Sequence, residues 1–188
     1  MDASEVTAVL ARARQGDSEA FQTLVERHSR RAFQLAFRIT GNEQDAEDVV
    51  QESFIRAYRQ LGRFEARAHF ATWLHRIVAN CSVDLIRSRR ARYEHASTDL
   101  LEPADQPETD LPNPERLAAS AQIERTVAAA MLELSPLERA AFTLRHYEGR
   151  SIAEIGKTLG LGTSATKHSV FRAVRKLRTA LEPLRGES

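Results

Sequence analysis

Cysteine is nearly absent from this chain. A single one, Cys81, stands among 188 residues, which excludes an internal disulfide and any cysteine-based zinc cluster. It fits a reducing compartment, and the expected location is cytoplasmic. Aromatic residues make up only 6% of the chain, a composition that suits helices better than a β-sandwich. No apolar run approaches the roughly 20 residues that a membrane span needs. No signal peptide is expected, since Asp2 and Glu5 sit where a basic segment belongs. Histidines 28, 69, 75, 95, 146 and 168 show no i, i+4 pairing, so no metal site is expected. There is no P-loop and no nucleophile elbow either. An enzyme therefore has the least support, and no cofactor is expected.

What is present is charge, and it is segregated. The net value is only +1. Residues 42–62 hold five acids and two bases, and residues 63–95 hold seven bases and three acids. Residues 96–118 hold six acids and one base, whereas 151–188 hold seven bases and three acids. Two basic blocks separated by an acidic one suggest two nucleic-acid contacts in one chain.

The most informative stretch is Ser151–Arg178. Ser151 and Glu154 form an S-x-x-E capping box that starts a helix. Ile152, Ile155 and Leu159 give it one apolar stripe. Gly160, Leu161, Gly162 and Thr163 break the run, and a second helix is expected from about Ser164. Val170, Val174, Leu177 and Leu181 mark its expected buried side. The opposite side carries Ala165, His168, Arg172, Arg175 and Lys176, with Lys167 and Arg178 flanking. A capped helix, a glycine turn and a longer helix with a basic face make a helix-turn-helix pattern. Ser164, Ala165, Lys167, His168 and Arg172 would reach base edges in a major groove. Arg175, Lys176 and Arg178 would meet phosphates. The plainer alternative is an amphipathic helix with a solvated basic face.

Further helices account for the rest of the chain. Asp17 or Ser18 caps one that runs to about Thr40, where Gly41 ends it. Asn42 caps the next, through Leu61, with Ala46, Val50, Phe54, Ala57 and Leu61 as its stripe. Its polar face holds Asp45, Asp48, Glu52, Arg56 and Arg59, with Ile55 among them and Val49 alongside. Carboxylates aimed inward at two metals would need E-x-x-H motifs, and none occurs. An apolar Ile55 with a charged rim has instead the anatomy of a protein contact, expected for a basic partner surface. Arg63–His69 reads as a loop. Phe70, Leu74, Ile77, Val78, Cys81 and Leu85 then predict a long helix to about Arg90. Its other side shows Thr72, His75, Arg76, Ala79, Asn80, Val83 and Arg87, and it ends in a basic tail suited to phosphates. Glu94–Pro114, with four prolines and many acids, reads as a flexible linker. Asn113-Pro114-Glu115 restarts helix, and Ser135-Pro136-Leu137-Glu138 is a second capping box.

The order of these motifs resembles one family, the bacterial RNA polymerase sigma factors of the extracytoplasmic-function type. Asp45-Ala46-Glu47-Asp48-Val49-Val50-Gln51-Glu52-Ser53-Phe54 is similar to the family's core-polymerase-binding segment. Phe70-Ala71-Thr72-Trp73-Leu74, followed by Asn80, Asp84 and Arg87, looks like its promoter-melting helix. Leu134–Arg139 and Ser151–Ile155 resemble its C-terminal domain.

The resemblance implies an all-α protein of two small helical domains. Residues 1–93 would be sigma region 2, 94–114 an acidic linker, and 115–188 sigma region 4 with its helix-turn-helix. It implies a transcription initiation factor without catalysis of its own. The expected partners are the β and β′ subunits of core polymerase, promoter DNA and an anti-sigma protein. Asp45, Asp48, Val49, Glu52 and Ile55 would meet the polymerase. Arg76, Asn80 and Arg87 would lie near the −10 DNA, with Phe64 in the loop that holds an extruded base. The −35 element would fall to the Ser164–Lys176 face. The rival is a conventional helix-turn-helix regulator with an N-terminal sensing domain, which should bind duplex operator DNA unaided.

Overall fold

A computed structural model describes residues 3–64, 69–96, 123 and 125–182. All regular structure among them is helical. The chain opens with α1 (Ala3–Arg14), which the sequence reading did not anticipate. Among its described side chains Leu10 and Ala13 are the buried ones, too small a stripe to announce a helix. Gly16, at φ 92°, turns the chain. Asp17 then caps α2 (Ser18–Thr40) by accepting the Ala20 N–H at 3.0 Å, and also holds Arg12 Nε at 2.7 Å. Gly41, at φ 74°, closes α2 by donating to the Phe37 carbonyl.

Asn42 caps α3 (Glu43–Gln60) through the Asp45 N–H, and a short 3₁₀ turn follows at Leu61–Arg63. Next comes α4 (Phe70–Ala96), which runs past the expected end near Arg90 and into the start of the expected linker. The remainder of that linker, the helix restart at Asn113, and residues 65–68 of the loop lie outside the described residues. Residues 125–132 form α5, in which Met131 is buried, Val127 half-buried and Ile123 just before it half exposed. Ser135 and Glu138 make a reciprocal capping box for α6 (Pro136–His146). Then come α7 (Ile152–Leu159) and α8 (Thr163–Leu181).

Helices α2, α3 and α4 pack on one another around Leu24, Leu35, Ile39, Val49, Leu74 and Val78. Cys81 is a small member of this core, and burial pushes its thiol pKa up. Ala140, Ala141 and Leu144 of α6 and Ile155 of α7 join the same core, so the N- and C-terminal halves are packed together. A second, smaller core holds Ala130, Met131, Leu134, Ala173 and Leu177.

Polar contacts reinforce the junction between the halves. The buried Arg139 guanidinium reaches out of α6 to the C-terminal end of α2. Its Nη1 donates to the carbonyls of Ile39 (3.1 Å) and Thr40 (3.0 Å). Its Nη2 donates to Leu132 (2.8 Å) and Leu134 (3.4 Å). These α2 carbonyls have no partner within their own helix, so a cation there meets both their hydrogen-bonding need and the helix dipole. Nearby, Glu148 accepts from Arg38 at 3.4 Å, the His75 ring lies 3.5 Å from the same carboxylate, and Arg38 lies over the Tyr147 ring.

Candidate protein and nucleic-acid interfaces

The C-terminal face is built from two caps and one tight elbow. Ser151 Oγ accepts the Glu154 N–H at 3.2 Å, and Glu154 returns the bond to the Ser151 N–H at 2.9 Å. The Ser151 hydroxyl and N–H together hold the Glu154 carboxyl below its ordinary pKa. Gly160 takes φ 65° as the C-cap of α7, and the Leu161 N–H reaches back to the Gly156 carbonyl at 2.8 Å. A Cβ at Gly156 would lie 2.8 Å from the Leu161 oxygen and 3.0 Å from Thr166 Oγ1. Glycine is therefore required by close approach at that point. Thr166 is fully buried and donates to the Gly162 carbonyl, which fixes the first turn of α8.

The exposed face of α8 carries Ser164, Ala165, Lys167, His168, Arg172 and Arg175, all open to solvent. Its buried side is Thr166, Ala173 and Leu177, while Val170, Val174 and Leu181 are half-buried. The expected stripe is thus rotated slightly. Lys176 is exposed as well, and it has a partner inside the protein. Its ammonium sits 2.7 Å from Glu138 Oε2, a carboxylate that also closes the α6 capping box. Burial opposes ionisation of Glu138, but Lys176 and the Ser135 bonds outweigh it and hold the carboxyl below its usual range. Lys176 therefore also braces α8 against α6, while its side chain stays 45% exposed on the α8 surface. A residue absent from the expected set is Phe171, 64% exposed. At 100° per residue it falls between Arg178 and Ser164, within the exposed basic face. An aromatic residue in an amphipathic helix is ordinarily read as core, so only its wheel position could have flagged it.

The second surface lies on α3. Asp48 is exposed, and Glu52 is half-buried with Arg56 Nε at 2.6 Å. Ile55 and Tyr58 are 39% and 50% exposed. An open groove of about 940 Å³ runs between α2 and α3, walled by Phe21, Val25, Phe33, Val50, Phe54 and Tyr58. The apolar patch expected around Ile55 is therefore much larger and extends onto α2. Two expected members do not belong to it. Asp45 (6% exposed) and Val49 (2%) are buried. Both α2 and α4 pack on α3, so its buried arc is wider than a single stripe. Asp45 is ion-paired with Arg89 of α4.

The third surface lies on α4. Arg76 and Arg87 are exposed and Asn80 is half-buried. Arg76 and Asn80 line a cleft of about 260 Å³ with Arg56, Gln60, Trp73 and Ile77. Phe64 closes the 3₁₀ turn at the start of the loop. It is 4% exposed and packs on Trp73 (4.8 Å) and Phe70 (6.1 Å) in an aromatic cluster. Ala79 and Val83, expected on the outer side, are buried, because α6 and α7 pack onto α4. His75 is half-buried there, and burial pulls its pKa down although Glu148 opposes the shift. Among the described residues no group of three His, Cys, Asp or Glu side chains could hold a metal, and no helix is long and apolar enough to cross a membrane.

Comparison with known proteins places the chain in a family. The sigma-70 region 2 profile matches residues 24–92, and a sigma-70 region 4 profile matches residues 124–177. The ECF RNA polymerase sigma factor SigW of Bacillus subtilis is 33% identical over 175 residues, 91% of this chain and 94% of that protein. The fold superposes on CnrH in complex with the cytosolic domain of CnrY, with a TM-score of 0.62 and 29% identity over 96% of this chain and 97% of that one. It also superposes on the sigma factor RpoE bound to the anti-sigma factor NepR from Bartonella quintana, with a TM-score of 0.65 and 21% identity over 86% and 96%. With both halves matched in order and the relatives aligned almost end to end, the chain belongs to the extracytoplasmic-function sigma factors of the sigma-70 family, which direct RNA polymerase to promoters.

Proposed function

We propose that the outer face of α3 docks the chain on core polymerase, that α4 holds the −10 strand and that α8 reads the −35 element. In this assignment residues 1–93 dock and melt, 94–114 connect, and 115–188 read duplex DNA. The polymerase, in the cytoplasm, carries out the chemistry. Asp48, Glu52 and Ile55 make the docking contact, helped by the groove beside them. Arg76, Asn80 and Arg87 meet the −10 strand, and Phe64 backs the cleft from the aromatic cluster. An inhibitor of the NepR class is a third proposed partner. The observation that carries the reading is the α8 face: five polar or basic side chains and one aromatic ring on a single exposed arc, held rigid by Thr166, Gly156 and Lys176.

That face has a direct test. Purified protein added to core polymerase should yield selective run-off transcripts that core alone does not make. Arg172→Ala should then reduce −35-dependent initiation by about 1–3 kcal/mol if it grips a base bidentately. Phe171→Ala should relax discrimination where the −35 element presents a thymine methyl, since aromatic contact with that methyl is an apolar readout. Transcription that is indifferent to both substitutions would move the −35 contact elsewhere.

A further inference from the structure

Asp45 was expected on the polymerase and is found instead inside the N-terminal half. It lies in the first turn of α3, where the Asn42 side chain fixes its backbone N–H at 2.9 Å. Its carboxylate points across to Arg89, near the end of α4. Among the described side chains of α4, the last apolar one packed against the core is Ile86. Beyond it the described tail reads Arg87, Ser88, Arg89, Arg90, Ala91 and Arg92, and of these only Arg89 is half-buried. Residues two apart on a helix point about 200° away from each other. With Arg89 drawn towards α3, Arg87 is turned outward, and it is exposed.

We propose that the Asp45–Arg89 pair, which ties α3 to α4 as Arg56–Asp84 also does, is the one that keeps the docking helix α3 in register with the DNA-gripping tail of α4. Asp45 is then a positioning residue for promoter opening and makes no contact with the polymerase. The pair is mutually dependent. Burial raises the Asp45 pKa, the neighbouring Asp48 raises it further, and Arg89 pulls it back. Without Arg89 the buried carboxylate loses the cation that faces it, and without Asp45 Arg89 loses its partner on α3. Because α3 is the helix proposed to sit on the polymerase, the tie transmits that fixed position to Arg87. The inference rests on the docking assignment above.

The test uses the full chain with core polymerase and promoter DNA. Asp45→Asn, Arg89→Gln and the double variant are compared for core affinity and for the fraction of promoter melted per bound holoenzyme, read by a fluorescent base in the −10 strand. Each single change should lower melting about tenfold, the size of one charge-assisted bond. Core affinity should not move, the double variant should be no worse than either single one, and Arg89→Lys should restore most of the melting. A loss of core affinity with normal melting per holoenzyme would overturn the proposal and make Asp45 a polymerase contact. Melting unchanged in the singles, or losses that add in the double, would overturn it too. If Asp45→Asn does not fold, Arg89→Gln carries the same comparison from the half-exposed end of the pair. Asp48→Arg run in parallel separates the two claims. Unchanged core affinity there removes the docking assignment, whereas failure confined to the Asp45 and Arg89 variants leaves it standing.

Discussion

Asp48→Arg should weaken assembly with core polymerase by about 2–4 kcal/mol, roughly 30- to 1,000-fold, because a like charge facing a basic partner costs several kcal/mol. Asp48 is the exposed acid of the α3 face. It stands one turn from Glu52 and two turns from Ile55, so all three occupy one edge of the helix. The fold should be little affected, since exposed substitutions away from caps and buried pairs usually stay within about 0.5 kcal/mol. Removing the Asp48 charge even relieves a repulsion on Asp45. Titrating labelled core with the variant, alongside a thermal melt, measures both quantities. Added salt should weaken the wild-type complex more than the variant complex, since exposed charges are screened. A variant that unfolds would make Asp48 structural. A stable variant with native affinity would show the α3 face to be the wrong surface.

The second large effect is on stability. Arg139→Ala should cost about 3 kcal/mol, since hydrogen bonds from a charged donor contribute about 1.5–3 kcal/mol and the carbonyls left behind lose their partner. Arg139 is 5% exposed and serves four carbonyls, two on α2 and two in the turn that ends α5. The same residue therefore joins the two halves, and the loss should be read as a lower urea midpoint for the whole chain. Arg139→Lys should recover only part of it, because one ammonium cannot span both pairs of carbonyls in the plane that the guanidinium fork provides. An unchanged midpoint for Arg139→Ala would mean that the halves are already apart in solution.

Local chemistry was legible in the residues; tertiary partners were not. Asp17, Asn42, Ser135 and Ser151 each cap a helix as expected, because a cap needs only residues within one turn. The exposed face of α8 followed from a single helical period. The misplaced residues all depend on a second element. Asp45 and Val49 are covered because α4 as well as α2 lies on α3. Ala79 and Val83 are covered because the C-terminal half packs on α4. The bond from Lys176 to a carboxylate 38 residues earlier in the chain was likewise out of sight. A wheel drawn for one helix cannot contain these neighbours. The groove between α2 and α3 was half visible, through Ile55, and its other wall became apparent only when Phe21, Val25 and Phe33 were brought alongside.

Gly156 carries a consequence for promoter choice. It touches no DNA in any reading of this chain, yet the elbow beside it has no space for even a methyl group. An alanine there would have to lever the start of α8 away from α7, tilting the reading helix as a unit. Every side chain on that helix would keep its identity and lose its aim, so the set of genes addressed could drift without one base-facing residue being replaced.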